Sequence, residues 1–303
     1  MSTVLERLPS GSRVAVIRLR SMGDCVLTTP ALALLKAYRP DLRIAVVVED
    51  RFRAIFEGNP DVDTILEPSS RRILRWRPKL ALNLHGGMRS MALTLASGAR
   101  LRAGFAHHRF SFLYSHGIPR AQLIFQEERT VHTAEHIASA MFWLGVPLAE
   151  IPRAKLTHSQ PDGLRRPYAV LHPFASEPAK TWPADRFLAV AFRLEAAGLE
   201  PVFLSGPGDD ASPFVRFTLW NNAPLARVKS LMSGAQLFVG NDSGPAHVAA
   251  AFGVPVVSLF GATDPAIWGP WRTGARVLTS ARGISGITVD QVLEAAQALK
   301  VAV

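Results

Sequence analysis

Apolar residues fall in short runs along this chain, with stretches of helical period between them. Residues 13–19 (RVAVIRL) read as a buried strand and residues 43–49 (RIAVVVE) as the next, with a helical stretch between. Residues 79–84 (KLALNL) and 100–105 (RLRAGF) continue the series, separated by MRSMALTLASG, and residues 129–144 read as a longer helix closed by Gly145. Strand–helix–strand alternation with continuous apolar runs predicts parallel sheets wrapped by helices.

Residues 147–167 break this pattern. They are polar, hold Pro147, Pro152, Pro161 and Pro167 together with Arg165 and Arg166, and read as an interdomain linker. A second alternation follows: a strand at 168–172 (YAVLH), then a helix at 183–198 with Pro183 at its start and Gly198 at its end. PVFLSG, a strand around 215–219, LARVKSLMSG, QLFVG, a helix from about Gly244, VPVVSLFG and a closing amphipathic helix in GITVDQVLEAAQALK complete it. Two such series predict an α/β protein of two Rossmann-like domains, residues 1–155 and 156–303, facing across a ligand cleft. Ligands of these sheets sit outside the carboxyl ends of the strands, so the loops after the apolar runs are where chemistry is expected.

Composition sharpens this picture. A chain of 303 residues suits two domains, and 48% hydrophobic against 19% charged residues excludes disorder. The longest apolar candidate, residues 248–260, is cut by Gly253 and Pro255 and falls short of the roughly 20 residues a spanning helix needs. The opening MSTVLERLPSG has no apolar signal region, and the single cysteine, Cys25, permits no intrachain disulfide. A reducing cytoplasm is the expected compartment. The net charge of +10 favours polyanions: nucleic acid, anionic lipid or phosphorylated glycan. Nucleic acid rests on charge alone, without an aromatic-interleaved basic motif, and is not expected as a partner.

Three loops can carry chemistry. In RSMGDCVLTTPALALL, after the first strand, Gly23 permits a sharp turn and Asp24 is either a helix cap or a base facing a cleft. Thr29 and Pro30 leave two registers open: a helix capped by Thr29, or one that starts near Asp24 and is kinked by Pro30. In HPFASEPAKTWPADRF, a small-residue turn, Lys180 and a helix opening form a candidate phosphate cradle, against the alternative of an ordinary surface lysine. In FVGNDSGPAHVAAAFGVPVVSLFGATDP, the strand runs into Asn241, Asp242, Ser243 and Gly244. There a helix N-terminus suits a diphosphate, Asp242 suits sugar hydroxyls and His247 can reach a phosphate. The alternative is a capping box, with His247 packed in the core.

Together these loops resemble glycosyltransferase family 9, the ADP-heptose:lipopolysaccharide heptosyltransferases. VIRLRSMGDCVLTTPALALLK, EGNPDVDTI, LHGGMRS, HPFASEPAKTWPADRF and, most strongly, NDSGPAHVAAAFGVPVVSLFGATDPAIWGPW carry the resemblance in order across most of the chain. It implies a GT-B fold with an N-terminal acceptor domain and a C-terminal nucleotide-sugar domain. It also implies an inverting transfer that needs neither metal nor cofactor, from ADP-heptose to a phosphorylated, lipid-linked glycan acceptor. Peripheral contact with the inner face of the cytoplasmic membrane fits that acceptor. Asp24 falls on the family's base, with Met22 and Gly23 beside it on the acceptor side. Ser176, Lys180, Asp242, Ser243, Gly244, Pro245 and His247 fall on the donor side. Two departures stand out. The stretch after SGPGDD lacks room for a further helix, which bears on base recognition, and the stretch after GATDPAIWGPW is short. Another NDP-sugar donor, or a non-catalytic nucleotide-sugar-binding relative, is the alternative.

Other features invite chemistry less well. Asp61 and Asp63 have the D-x-D form of a metal motif but lie in an Asn-Pro turn, and are read as a turn. His107, His108, His132 and His136 give no third metal ligand. The basic clusters Arg71, Arg72, Arg75, Arg77, Lys79 and Arg100, Arg102, Arg109 are either solvated or face an anionic, membrane-anchored acceptor.

Overall fold

The computed structural model describes residues 2–158, 164 and 167–301. The chain divides into two compact units, with the division between Thr157 and His158.

The first unit is a six-stranded parallel sheet: β1 Arg13–Ile17, β2 Arg43–Val47, β3 Thr64–Leu66, β4 Leu80–Asn83, β5 Leu101–Phe105 and β6 His116–Ile118, ordered β3-β2-β1-β4-β5-β6. Its helices are α1 Met22–Tyr38, α2 Ser70–Trp76, α3 Met88–Ala96, α4 Ala121–Phe125 and α5 Thr133–Leu144. Ala15, Ile17 and Leu19 pack with Ile73 of α2 and Leu93 of α3. Side chains alternate along a strand, so Val14, Val16 and Arg18 turn to the other face. A charged residue therefore ends a buried register.

The second unit repeats the topology. Its strands are β7 Tyr168–His172, β8 Glu200–Ser205, β9 Thr218–Asn221, β10 Leu237–Asn241, β11 Val256–Leu259 and β12 Ala275–Leu278, all parallel, ordered β12-β11-β10-β7-β8-β9. The helices are α6 Ala184–Ala196, α7 Leu225–Ser233, α8 Gly244–Phe252, α9 Pro265–Trp268 and α10 Val289–Ala298. Phe187, Val190 and Leu194 of α6 and Val292, Leu293 and Ala296 of α10 bury one face of the sheet around Trp182. The entry into α10 is a capping box: Gln291 N donates to Thr288 Oγ1 at 3.2 Å and Thr288 N donates to Gln291 Oε1 at 2.9 Å.

In each unit the order reverses at the first and fourth strands, β1/β4 and β7/β10. That switch point is where open α/β sheets bind ligands.

Several expectations change. The helix α1 starts at Met22, so Pro30 lies inside it and Thr29 is not its cap. Pro30 cannot donate to the carbonyl four residues back. The Thr29 hydroxyl donates to that Val26 carbonyl instead, at 2.8 Å. Gly23 is a buried residue of the first helical turn rather than a sharp turn. The first part of the supposed linker is packed structure: Ile151, Ala154 and Leu156 are buried, and Lys155 N donates to Thr29 Oγ1 at 2.9 Å. Pro161, Arg165 and Arg166 lie outside the described residues. The strand placed around 215–219 lies at Thr218–Asn221, after a 3-10 turn at Ser212–Phe214. Phe214 stacks on Phe203 at 4.3 Å, so phenylalanines cover the sheet where a helix would otherwise lie.

Candidate active site

In the first unit, β1 delivers the chain to the N-terminus of α1, and Asp24 sits at the third helical position. Its Oδ2 accepts from Ser21 N at 3.3 Å and from Ser21 Oγ at 3.1 Å. The two readings of Asp24 are thus compatible, because capping occupies one carboxylate oxygen. The other, Oδ1, faces Arg18 Nη1 at 3.6 Å. Arg18 is buried, and Asp24 is partly exposed.

Imidazoles surround this pair. His85 follows β4, His107 and His108 follow β5, and His136 lies on α5, where its ring stacks on Phe105 at 4.1 Å. His107 and His108 lie 4.4 Å apart. Gly86 has a φ of +77°, and a Cβ there would meet the His108 ring at 2.4 Å, so only glycine lets that ring lie over the backbone. Burial is the main force holding His85, His107, His108 and His136 below the ordinary imidazole range, His136 to about 4. The Arg18 charge pushes His85, His108 and His136 the same way. His132 caps α5, accepting from Ala134 N through Nδ1 at 3.0 Å.

In the second unit three loops are tied together. Asn241, fully buried at the end of β10, donates through Nδ2 to the Pro173 carbonyl at 2.9 Å and accepts Trp182 N at Oδ1 at 3.2 Å. It therefore grips both ends of the loop that carries Ser176 and Lys180. Ser176 is exposed, and Lys180 is half-buried with no side-chain hydrogen bond or ion pair among the described residues. The loop after β11 closes against the same segment: a Cβ at Gly261 would lie 2.1 Å from the Ala179 carbonyl. Thr263 in that loop donates to Asp242 Oδ2 at 2.6 Å.

The N-terminus of α8 is not a capping box. Ser243 occupies the cap position, but its hydroxyl lies 3.1 Å from Nδ1 of His172, and no side chain caps the helix. Asp242 is engaged by Thr263. His172 is held neutral by burial, its pKa lowered to about 4. Gly244 is partly exposed at this open end, whereas Pro245 and His247 are buried on the helix. Pro245 has no N–H and Ala246 N bonds the Ser243 carbonyl at 3.2 Å, so Lys180, Asp242 and Ser243 gather at one switch point around the uncapped Gly244 amide, an arrangement suited to an anion.

Arg18, His85, His172 and Thr263 carry no expectation from sequence, and Asn241 is named there only as the residue into which its strand runs. Only Arg18 left a signal there, as a charge at the end of an apolar run.

The D-x-D carboxylates are already engaged. Asp61 pairs with Lys155 at 2.9 Å, and Asp63 accepts Lys36 Nζ at 3.0 Å and Ile44 N at 2.8 Å. Of the basic clusters, Arg72 pairs with Glu67 at 3.2 Å and Arg102 bonds the Ala99 carbonyl at 3.0 Å, while Arg71, Arg75, Arg77, Lys79 and Arg100 are exposed. No helix among the described residues is long and apolar enough to cross a membrane.

The model of glycosyltransferase family 9 (heptosyltransferase) matches residues 70–291. Lipopolysaccharide heptosyltransferase 3 of Escherichia coli is 29% identical over 290 residues, covering 84% of each chain. A family 9 glycosyl transferase from Veillonella parvula superposes with a TM-score of 0.84 at 23% identity, over 96% of this chain and 97% of its own. The E. coli ADP-heptose lps heptosyltransferase II gives 0.82 at 21% identity, over 95% and 98%. These likenesses extend over both units and give a two-domain α/β fold of GT-B type. The chain belongs to glycosyltransferase family 9, the heptosyltransferase family, and is a glycosyltransferase.

Proposed function

We propose that this enzyme transfers heptose from ADP-heptose to a phosphorylated, lipid-linked acceptor of the lipopolysaccharide core, with inversion and without a metal ion. The observation that carries this reading is the open N-terminus of α8, where diversion of Ser243 to His172 leaves the Gly244 amide uncapped beside Asp242 and Lys180. Such a site suits a diphosphate. The names of the E. coli relatives support heptose, ADP and lipopolysaccharide as the partners.

In this reading Asp24 Oδ1 removes the proton of the acceptor hydroxyl. That oxygen attacks the anomeric carbon from the face opposite the departing ADP. Lys180 and the Gly244 amide at the start of α8 stabilise the charge that builds on the diphosphate. Asp242, held by Thr263, accepts hydrogen bonds from the donor sugar, and Ser176 borders the phosphates. Met22 and Gly23 line the acceptor side. A lysine and a helix amide can do the charge work for which other transferases use a divalent ion, and the engaged state of Asp61 and Asp63 supports that division. Exposed Arg71, Arg75, Arg77 and Arg100 suit acceptor phosphates and an anionic bilayer surface, so the enzyme works in the cytoplasm, peripheral to the inner membrane face. The helix-free crossover between β8 and β9 supports one alternative, a different NDP-sugar, because that edge would border the base.

Calorimetric titration with ADP, UDP and GDP, with and without EDTA, tests the reading. ADP-selective, EDTA-insensitive binding is expected. Preference for UDP or GDP would discard ADP-heptose as the donor, and binding of none of the three would favour a non-catalytic relative.

A further inference from the structure

Arg18 has no part in the reaction as written, yet its position is costly. It is 6% exposed, its Nε has no hydrogen-bond partner among the described residues, and burial disfavours its charge. A buried cation is tolerated only when a counter-charge answers it. The charged and titratable groups around it come from every neighbouring element. Asp24 and Cys25 on the first turn of α1, His85 after β4, His108 after β5 and His136 on α5 interact with it directly, while Arg20, Glu49, Arg51 and His107 interact with those groups in turn. The imidazoles are driven toward the neutral form, and burial pushes the Cys25 thiol up to about 12. Glu49 is taken by Arg51 at 2.9 Å and Arg89 at 2.8 Å. One carboxylate remains for Arg18: Asp24, at 3.6 Å. At that distance the contact is ionic rather than a hydrogen bond. It acts by charge, and leaves Oδ1 able to accept from a substrate.

We propose that Arg18 is the positioning residue of the transfer: its buried charge, 3.6 Å from Oδ1, holds the Asp24 carboxylate in the orientation that meets the acceptor. This rests on the reading of Asp24 as the base. In the transfer the acceptor O–H bond breaks and its proton moves to Oδ1. The new C–O bond forms, and the anomeric C–O bond breaks with its electron pair leaving on ADP. Loss of the Oδ1 proton to water restores the carboxylate that faces Arg18.

The test is the split of kcat and KM for the full chain with ADP-heptose and heptose-deficient lipopolysaccharide. Arg18→Lys keeps a charge on a stem like that of Arg18→Met, so the two variants separate charge from packing. Arg18→Met should lose about 10²-fold in kcat with little change in KM, and Arg18→Lys should keep most of kcat. Near wild-type kcat in Arg18→Met, or equal defects in the two variants, overturns the proposal. If Arg18→Met does not fold, thermal melting of Asp24→Asn reads the same coupling from the other side. Removing the carboxylate should lower Tm by several degrees, and an unchanged or raised Tm overturns the proposal. Near wild-type kcat in Asp24→Asn would instead sink the base reading itself. An inactive Asp24→Asn beside near wild-type kcat in Arg18→Met would sink only the role of Arg18.

Discussion

Two helix N-termini at topologically related positions are finished in opposite ways. In the first unit, α1 is closed by a carboxylate, Asp24 Oδ2 on Ser21, and the same side chain answers a buried arginine. In the second, α8 is left open because Ser243 turns to His172 and Asp242 turns to Thr263. The sheets share one strand order and one switch point, so topology supplies the location and not the chemistry. Local hydrogen bonds decide whether a helix end presents negative charge, fit to take a proton, or a bare amide, fit to hold an anion. On the proposed reading, turnover belongs to the first unit and donor binding to the second, and variants of the second unit can break that division.

The largest expected effect is on the frame of the second unit. Trp182 is fully buried, bonds Asn241 through its backbone and the Ile287 carbonyl through its indole at 3.0 Å, and packs on Phe187 at 5.0 Å. Trp182→Ala should cost about 3–5 kcal/mol in urea denaturation and weaken ADP binding as Asn241 loses its grip. Unchanged ADP affinity would detach the donor site from this frame.

The next effect is on acid stability. His172 titrates at about 4 in the fold against about 6.5 unfolded. The unfolded chain therefore binds more protons between those values. The stability that His172 contributes is present above about pH 6.5 and is lost as pH falls toward 4, by about 3 kcal/mol at full effect. His172→Gln should flatten that slope, as followed by denaturation midpoints across the range. An unchanged slope would place the acid sensitivity elsewhere, with His136 in the first unit the next group to test.

Lys180→Met should lower kcat by about 10²-fold, equivalent to about 2.7 kcal/mol, and weaken ADP binding, as read by steady-state kinetics and calorimetry. Loss of kcat with ADP affinity unchanged would move Lys180 away from the diphosphate.

The sequence made much of this visible, for reasons that are themselves physical. Strands such as β1, β7 and β10, buried along nearly their whole length, show as unbroken apolar runs. The edge strands β3, β6 and β12 are short and half-exposed, so they leave little pattern. The helix α2 is hidden by its exposed arginines. Asp24, Lys180 and Asp242 were legible because they lie in the loops and helix starts that follow buried strands. The stitching by Asn241, Trp182 and Thr263 was not, because it joins residues far apart in the chain. Nor could spacing tell whether Asp24 was a cap or a base, since its two carboxylate oxygens have different neighbours.

The most direct measurement sets turnover against ADP binding in Asp24→Asn, using ADP-heptose and heptose-deficient lipopolysaccharide. The variant keeps the side-chain shape and removes the carboxylate. A fall in kcat of about 10²–10⁴-fold with wild-type ADP affinity is expected. Near wild-type kcat, or a parallel loss of ADP binding, would contradict the division of labour between the two units.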